Sequence, residues 1–458
     1  MRERQYWRWG TLSSLPATVL IFLLAVSTVW AEDITVTTDE GQQTLAVGDT
    51  LTVSGSVTTT DTDSVYVSLP PARIYTPYQY DADYWYSLDS PYNESGFIDN
   101  SAIIGEDSTF SIIEPYYGTT VVMPTNNVTT GSITINSGAT VSATTTTDSV
   151  TALMDQFNYT TDMYTNGIKG ETGNLTITNN GTLAVSSNIT TDDRPYTYPY
   201  GSTYDLTIAN DIHSIGIQLD SVIADSGVEG EGTTIINNGL MDIEAIVVDG
   251  SISNQTNNAK AEAIQIMGAS ETTVSGIDIQ NNGTMDLYAS GENAHAWAIQ
   301  TGGGNDGEFS NLSISNSGTV EAIAEGSENS NTRWIQTGGY IDGLEISNTG
   351  DVTISSTTTP ADETSTPDGA NAMGIKLGEE IIGLTITNAA DATLTVSATG
   401  TNSDSTSAQG IHLGELIEDM SITNNGTIAV SSLSQATEGS DVGETTAWGI
   451  AIGEESTG

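Results

Sequence analysis

The feature that most constrains this chain is a short pattern, apolar-x-apolar-x-Asn-x-Gly-x-apolar, which is written eight times between residues 133 and 430. The copies are ITINSGATV (133–141), LTITNNGTLAV (175–185), TIINNGLMDI (234–243), IDIQNNGTMDL (277–287), LSISNSGTVEA (312–322), LEISNTGDVTI (344–354), LTITNAADATL (384–394) and SITNNGTIAV (421–430). The seventh copy departs from the pattern, with Ala390 where the others have glycine. Self-similarity at a period of roughly 20–50 residues indicates a solenoid or another repeat array.

Within each copy, apolar and polar residues alternate on both sides of the Asn-x-Gly segment, which predicts two strands, each with one buried face, joined by a tight turn. A further strand pattern precedes most copies and carries one column of isoleucines: Ile217, Ile264, Ile299, Ile335, Ile375, Ile411 and Ile450. One repeat is therefore predicted to consist of three short strands, a tight turn and a polar loop such as residues 356–371.

A single repeat of this kind cannot bury its apolar face, but a stack of repeats can. We therefore predict an all-β parallel solenoid with irregular loops, in which neighbouring strands lie about 4.8 Å apart. Stacking also predicts a ladder of side-chain amides, as in other stacked-strand structures. Its members are Asn136, Asn179, Asn237, Asn281, Asn316, Asn348, Asn388 and Asn424. A β-propeller has a similar repeat length, but its blades need four antiparallel strands, so the three strands counted here favour the solenoid.

The N-terminus has the features of a secretory signal peptide. Arg2, Arg4 and Arg8 precede the apolar run 15–30, which ends in Val29-Trp30-Ala31. A basic region, an apolar region and small residues before the cleavage point predict removal of residues 1–31. A membrane anchor is the alternative, although the run is short for a spanning helix.

The whole chain is strongly acidic and has no cysteine. Nine Lys and Arg residues stand against 59 Asp and Glu, giving a formal net charge of −50. Such a chain repels nucleic acid and anionic lipid. Without cysteine it can form no disulfide framework, thiolate nucleophile or cysteine-based metal site.

A signal peptide, a cysteine-free acidic chain and β repeats punctuated by Asn-Asn-Gly together resemble the passenger region of a bacterial type V autotransporter, over most of residues 32–458. The resemblance implies a right-handed parallel β-helix on residues 126–458, after an N-terminal cap and tyrosine-rich region on residues 32–125. It also implies a C-terminal β-barrel in the outer membrane. This chain instead stops at GIAIGEESTG, one strand into another repeat, so we expect it to be a fragment of a longer protein.

No catalytic constellation can be recognised, so we expect no enzymatic activity, no cofactor and no catalytic residues. Asp225-Ser226-Gly227 weakly resembles the motif around the nucleophile of a serine protease. The general base that this serine would need could come only from His213, His295 or His412. A glycosidase needs two carboxylates across a cleft, and so acidic a chain offers such pairs by chance.

The sequence defines no metal site either. The segment 302–306, Gly-Gly-Gly-Asn-Asp, faintly resembles a calcium-binding nonapeptide repeat, but it occurs only once. Acidic loops suit loosely bound calcium through oxygen ligands, without any spacing that fixes a site.

Two features suit binding. The first is an outward column beside the isoleucines, formed by Gln218, Gln265, Gln300, Gln336, Lys376 and His412, which would make a polar strip along the rod. A solvated outer face with stacked amides explains the same column. The second is the tyrosine-rich stretch 75–92, echoed at 195–204, which suits contacts with sugars or proteins. A cap over the first repeat explains the tyrosines equally well.

These patterns lead to one functional expectation and two alternatives. We expect an adhesin-like autotransporter passenger, displayed on the cell surface or secreted, whose partner is a host or cell-surface protein or a glycan. An exported β-helical enzyme that degrades polysaccharide is one alternative, and a purely structural stalk is the other.

Overall fold

The computed structural model describes residues 33–36, 43–44, 50–53, 56–59, 67–68, 99–104, 109–113, 119–122, 130–146, 163–171, 174–190, 194–197, 203–206, 211–220, 230–248, 258–268, 273–302, 308–361, 366–378, 380–414, 416–436 and 443–452. Side chains are described for most of these residues from Ile133 onward. The expected signal peptide and the tyrosine-rich stretch 75–92 lie outside the described residues.

The described residues form β-strands joined by turns and loops, with no helix among them. The first eleven strands are β1 (Asp33–Val36), β2 (Gln43–Thr44), β3 (Thr50–Val53), β4 (Ser56–Thr59), β5 (Val67–Ser68), β6 (Asp99–Ile104), β7 (Thr109–Ile113), β8 (Thr119–Val122), β9 (Thr130–Ile135), β10 (Thr140–Thr146) and β11 (Met163–Glu171). The next twelve are β12 (Asn174–Asn179), β13 (Thr182–Thr190), β14 (Arg194–Thr197), β15 (Thr203–Leu206), β16 (Asp211–Asp220), β17 (Gly230–Glu231), β18 (Thr234–Asn237), β19 (Leu240–Val248), β20 (Asn258–Met267), β21 (Thr273–Ser275), β22 (Asp278–Asn281) and β23 (Thr284–Thr301). The last twelve are β24 (Glu308–Asn316), β25 (Thr319–Thr337), β26 (Ile341–Asn348), β27 (Asp351–Thr358), β28 (Gly369–Leu377), β29 (Glu380–Asn388), β30 (Thr393–Thr401), β31 (Ser405–Leu413), β32 (Leu416–Glu418), β33 (Ser421–Asn424), β34 (Thr427–Gln435) and β35 (Glu444–Ile452).

These strands stack into three faces. The first face holds β1, β3, β6, β9, β12, the pair β17 and β18, the pair β21 and β22, β24, β26, β29 and the pair β32 and β33. The second face runs through β4, β7, β10, β13, β19, the first halves of β23 and β25, β27, β30 and β34. The third face runs through β2, β5, β8, β11, β16, β20, the second halves of β23 and β25, β28, β31 and β35.

The pairing is that of a parallel β-solenoid, as the repeat pattern predicts. Among the described strands every pairing is parallel except that of β14 with β15, which form an antiparallel hairpin between the second and third faces of one rung. A propeller would need antiparallel blades throughout, so the alternative architecture is excluded. The two hairpin strands contain residues 195–197 and 203–204 of the shorter tyrosine-rich stretch.

Register follows the sequence pattern in the interior. The isoleucine column is continuous, because Ile217 pairs with Ile264 and each later member pairs with the next as far as Ile450. Ile264, Ile335 and Ile375 are at most 1% exposed. Burying one such side chain is worth about 1.5–3 kcal/mol, so each rung is stabilised mainly by the rung beside it.

Stacking begins before residue 126. In the first face β3 pairs with β6 and β6 pairs with β9, and in the second face β4 pairs with β7 and β7 with β10. The strands between Asp33 and Val122 therefore belong to the same parallel faces as the repeats that follow them.

Candidate functional site

The asparagine ladder lies at the turn between the first and second faces. Each side-chain amide donates a hydrogen bond to the side-chain oxygen of the asparagine in the following rung, over 2.8–2.9 Å. The chain of donors runs Asn179, Asn237, Asn281, Asn316, Asn348 and Asn388, and ends on the oxygen of Asn424.

The same amides also hold the turn of the next rung. Asn179 Nδ2 donates to the carbonyl oxygen of Leu240 at 3.0 Å, and Asn237 Nδ2 donates to that of Thr284 at 3.0 Å. Asn237 and Asn281 are 1% exposed. Because a buried amide without partners would be costly, the two bonds per amide explain why asparagine occupies this position.

Asn136 lies outside the ladder, contrary to the expectation from the sequence. Asn179 pairs with Ile135, and the carbonyl oxygen of Asn136 instead accepts a hydrogen bond from the Ala139 amide at 3.0 Å. The physical reason is a longer first turn, in which Gly138 has a φ of 76°.

The seventh repeat has a longer turn of the same kind. Ala392 N–H donates to the Ala389 carbonyl at 3.1 Å, and Thr427 N–H donates to the Ala392 carbonyl at 3.0 Å. Ala392 therefore stacks where other rungs have glycine, whereas the sequence pattern had placed Ala390 there.

The predicted polar strip is in register on the third face. Gln218 pairs with Gln265, and the column continues through Gln300, Gln336, Lys376 and His412. Its members are not equally accessible, because Gln265, Gln300 and His412 are 5–7% exposed whereas the other three are half-buried. His412 Nδ1 lies 2.6 Å from Gln409 Oε1.

A second column beside the strip was missed at the sequence level. It contains Glu262, Trp297, Arg333, Met373 and Gln409 in successive rungs. Because these residue types differ from rung to rung, they give no repeated pattern. Their position three residues before each member of the strip was the only available signal.

Trp297 is the centre of a charged cluster in these columns. Lys260 Nζ lies 4.2 Å from one of its ring centroids, and Arg333 Cζ lies 4.7 Å from a ring centroid. The His295 ring meets the indole edge-on, with centroids 5.7 Å apart. Cation–π contacts of this kind are worth about 0.5–2 kcal/mol each, so the indole is held in place by its neighbours.

Glu262 is the carboxylate of the cluster, and it is fully buried. Its Oε1 lies 3.0 Å from Lys260 Nζ, and Gln265 Nε2 donates to its Oε2 at 2.8 Å. Burial raises the pKa of Glu262, and the ion pair and hydrogen bonds oppose that rise. Lys260 Nζ also donates to Gln300 Oε1 at 3.3 Å, which links the cluster to the strip.

The two histidines of this region are held neutral. Burial, with help from Lys260 and His295, lowers the pKa of His213 from 6.5 to about 3. Burial, with help from Lys260 and Arg333, lowers the pKa of His295 from 6.5 to about 4. At neutral pH the positive charge of the cluster therefore comes from Lys260 and Arg333.

The described cationic side chains are confined to one face, although that face also carries the carboxylate of Glu262. The Lys, Arg and His side chains that the structure describes all lie on the outward side of the third face: His213, Lys260, His295, Arg333, Lys376 and His412. The second face instead stacks Asp242, Asp286 and Glu321 in one column. Burial and then these two neighbours raise the pKa of Asp286.

Several polar atoms of the third face have no hydrogen-bond partner within the described part of the chain, although they are shielded from solvent. They are Gln218 Oε1, His295 Nδ1, Trp297 Nε1, Asn331 Oδ1 and Asn371 Oδ1. Folded proteins pair most such atoms. The third face therefore combines two cations with shielded polar atoms that have no partner of their own.

Other sites considered from the sequence stay predictions. Asp225-Ser226-Gly227 and residues 303–306 lie outside the described residues. Within the described ranges, no three His, Asp or Glu side chains are grouped so as to hold a metal ion. In the same ranges no helix has the length and apolar character needed to cross a membrane.

Comparison with known proteins gives no match. No protein-family model, no curated protein and no solved structure matches this chain.

Proposed function

We propose that this chain is an autotransporter passenger, displayed on the cell surface or secreted, that acts as an adhesin-like interaction protein without catalysis. The observation that carries the proposal is the third face. In a chain of net charge −50, its described cationic side chains all lie there, among polar atoms that lack partners. Confining cationic side chains to one face steers an oppositely charged partner to that surface.

The accessible part of this surface includes six half-buried side chains: His295, Trp297, Asn331, Gln336, Asn371 and Lys376. They span consecutive rungs from β23 to β28. A partner would therefore bind along the stack and contact side chains that repeat at a spacing of about 4.8 Å. Extended polar chains, such as a cell-surface glycan or an exposed strand of a protein, fit that geometry.

The test is binding of the full chain to cell-surface proteins and to an array of neutral and acidic glycans, followed by charge variants. Lys376→Gln together with Gln336→Ala changes the third face, and Asp242→Asn together with Asp286→Asn is the matched change on the second face. We expect the first pair to reduce binding at least tenfold and the second pair to leave it unchanged or stronger.

The alternatives give different results in the same experiment. Release of sugar from a polysaccharide would favour the exported enzyme, with Glu262 as its first candidate carboxyl group. Absence of binding to every cell-surface protein and glycan tested, with the fold intact, would leave the structural stalk.

A further inference from the structure

Lys260 and Gln300 meet across neighbouring rungs on the outward side of the third face. Lys260 lies on β20 and Gln300 on the second half of β23, and 40 residues separate them in the sequence. Lys260 Nζ donates to Gln300 Oε1 at 3.3 Å, so the amine nitrogen lies against the carbonyl group of the glutamine amide. An amine and a primary amide contain the atoms needed for amide exchange, in which an isopeptide bond forms and the amide nitrogen leaves.

Glu262 is placed to carry the protons of such a reaction. Its Oε1 lies 3.0 Å from Lys260 Nζ, which is within reach of direct proton transfer. Its side chain is fully buried, and burial raises its pKa. Since burial favours the neutral carboxyl group, transfer of a proton from the ammonium to Glu262 replaces a largely buried ion pair with two neutral groups. The resulting amine has the lone pair that attack on a carbonyl carbon requires.

Gln265 connects this base to the amide. Its Nε2 donates to Glu262 Oε2 at 2.8 Å and makes a longer contact of 3.5 Å with Gln300 Oε1. The Gln300 carbonyl oxygen therefore faces N–H groups of both Lys260 and Gln265, which stabilise the negative charge that develops on it during attack. Gln265 is 6% and Gln300 7% exposed, so little water reaches the carbonyl to compete with the amine.

The indole of Trp297 restricts the position of the amine. Lys260 Nζ lies 4.2 Å from a ring centroid of Trp297, which is on the same rung as Gln300 and three residues before it. The ring therefore holds the end of the lysine side chain beside the amide. Fixing two reacting groups next to each other turns an encounter between separate molecules into an intramolecular step, which strongly accelerates a slow reaction.

We propose that the folded chain joins Lys260 to Gln300 by an isopeptide bond, with Glu262 carrying the protons. Glu262 takes a proton from the ammonium, and the freed Nζ forms a bond to Cδ of Gln300. The Cδ–Nε2 bond then breaks. Two protons pass in turn from the lysine nitrogen through Glu262 to the departing nitrogen, which leaves as ammonium, so atoms and charge balance and Glu262 ends as it began. The ion pair of the described structure is the state before this bond forms.

The bond would link two rungs of the solenoid covalently. Unfolding of the linked chain would leave a closed loop of 40 residues between the two side chains, which restricts the unfolded state as a disulfide does. The linked chain should therefore unfold at a higher urea concentration than the unlinked one. The linkage also removes the charge of Lys260 from the third face, where Arg333 and Lys376 remain as cations.

The test is mass spectrometry of the folded full chain, fresh and after incubation at neutral to mildly alkaline pH. We expect the chain to lose the mass of one ammonia and protease digestion to give a branched peptide that joins Lys260 to Gln300. Succinimide formation at an asparagine also releases ammonia, so the branched peptide is the deciding observation. In denaturant no branched peptide should form, because the reaction depends on the fold. A folded chain without this peptide, or one with Lys260 joined to Glu262 by loss of water, would overturn the proposal.

Variants test the role of each group. Lys260→Arg keeps the positive charge but cannot form the bond, and Gln300→Met removes the amide, so both should abolish the branched peptide. Gln280→Met is the matched change on the first face and should leave the linkage unchanged. Each variant is checked for the fold by circular dichroism.

The base is tested separately. Glu262→Gln should prevent the linkage, and Glu262→Asp, which keeps a carboxyl group farther from the amine, should slow it by about tenfold or more. The aspartate variant also covers the case in which Glu262→Gln does not fold. A folded variant of either kind that links at the rate of the parent chain would show that Glu262 does not carry the protons.

Discussion

Asn388 Nδ2 donates a 2.8 Å hydrogen bond to Asn424 Oδ1, although 36 residues separate the two in the sequence. The bond joins two rungs through side chains alone. It ties the turn of one repeat to the turn of the next.

Removing one member of the ladder is expected to destabilise the fold. Asn281→Ala deletes the donor to Asn316 and leaves the buried Asn237 amide with the Thr284 carbonyl as its one remaining acceptor, at a cost of about 2–3 kcal/mol in the free energy of unfolding. Urea denaturation followed by circular dichroism measures the loss. Asn282→Ala, one residue along in the exposed outer ladder, is the control and should cost no more than about 0.5 kcal/mol. Equal losses for the two variants would contradict a special role for the inner ladder.

The glycine after the ladder is expected to be required by close packing. A Cβ on Gly283 would collide with the carbonyl oxygen of Gly239 in the preceding rung. Gly283→Ala should therefore lower the free energy of unfolding by about 1–3 kcal/mol through strain. At Gly378 the nearest atom to an added Cβ is the Thr337 carbonyl oxygen at 3.3 Å, so Gly378→Ala should be nearly neutral. The prediction fails if both variants unfold at the same denaturant concentration.

The buried ion pair of Lys260 and Glu262 is expected to be strongly coupled. Lys260→Met leaves the carboxylate buried without its cation and should cost about 3 kcal/mol. Glu262→Gln should cost less, because Lys260 is partly exposed and can reach solvent. A double-mutant cycle in urea measures the coupling. We expect the double variant to lose less free energy of unfolding than the two single variants lose together. If the two single losses simply add, the ion pair contributes nothing.

Stability is expected to depend on pH through His295. Its pKa is about 4 in the folded chain and 6.5 when unfolded, so only the unfolded chain takes up a proton between these values. The stabilising contribution of His295 is therefore lost as pH falls from 6.5 to about 4. Protonation of the many carboxyl groups also changes the free energy of unfolding over this pH range. Because His295→Gln has the same carboxyl groups, comparing it with the parent chain isolates the contribution of His295.

As pH falls, the free energy of unfolding of the parent chain should decrease relative to that of His295→Gln. The expected decrease is on the order of 2 kcal/mol, which allows for solvent around the ring. Urea titrations across this pH range supply the measurement. Asn331→Gln, a change in the same column without a titratable group, is the control. A difference that stays constant with pH would rule out His295 as the titrating residue.

The repeat pattern predicted the fold because a period of two fixes which side chains face inwards, and identical rungs stack in register. Ile335 under Ile375 and Gln265 beside Gln300 follow from that rule alone. Turn length does not follow from it. The longer turns after Ile135 and Asn388 displaced the expected positions of Asn136 and Ala390.

The charged cluster could not be read from the pattern for a different reason. Lys260, Glu262, Trp297 and Arg333 come from three rungs and share no residue type. Their proximity depends on stacking, which the sequence predicts, and on the side-chain directions of unlike residues, which it does not. Pairing each position with its counterpart in the next repeat would have brought Glu262, Trp297 and Arg333 together.

The six side-chain hydrogen bonds of the ladder all point the same way, from each asparagine to the next one along the chain. The amide dipoles therefore add, and the stack has a direction like that of a polar filament.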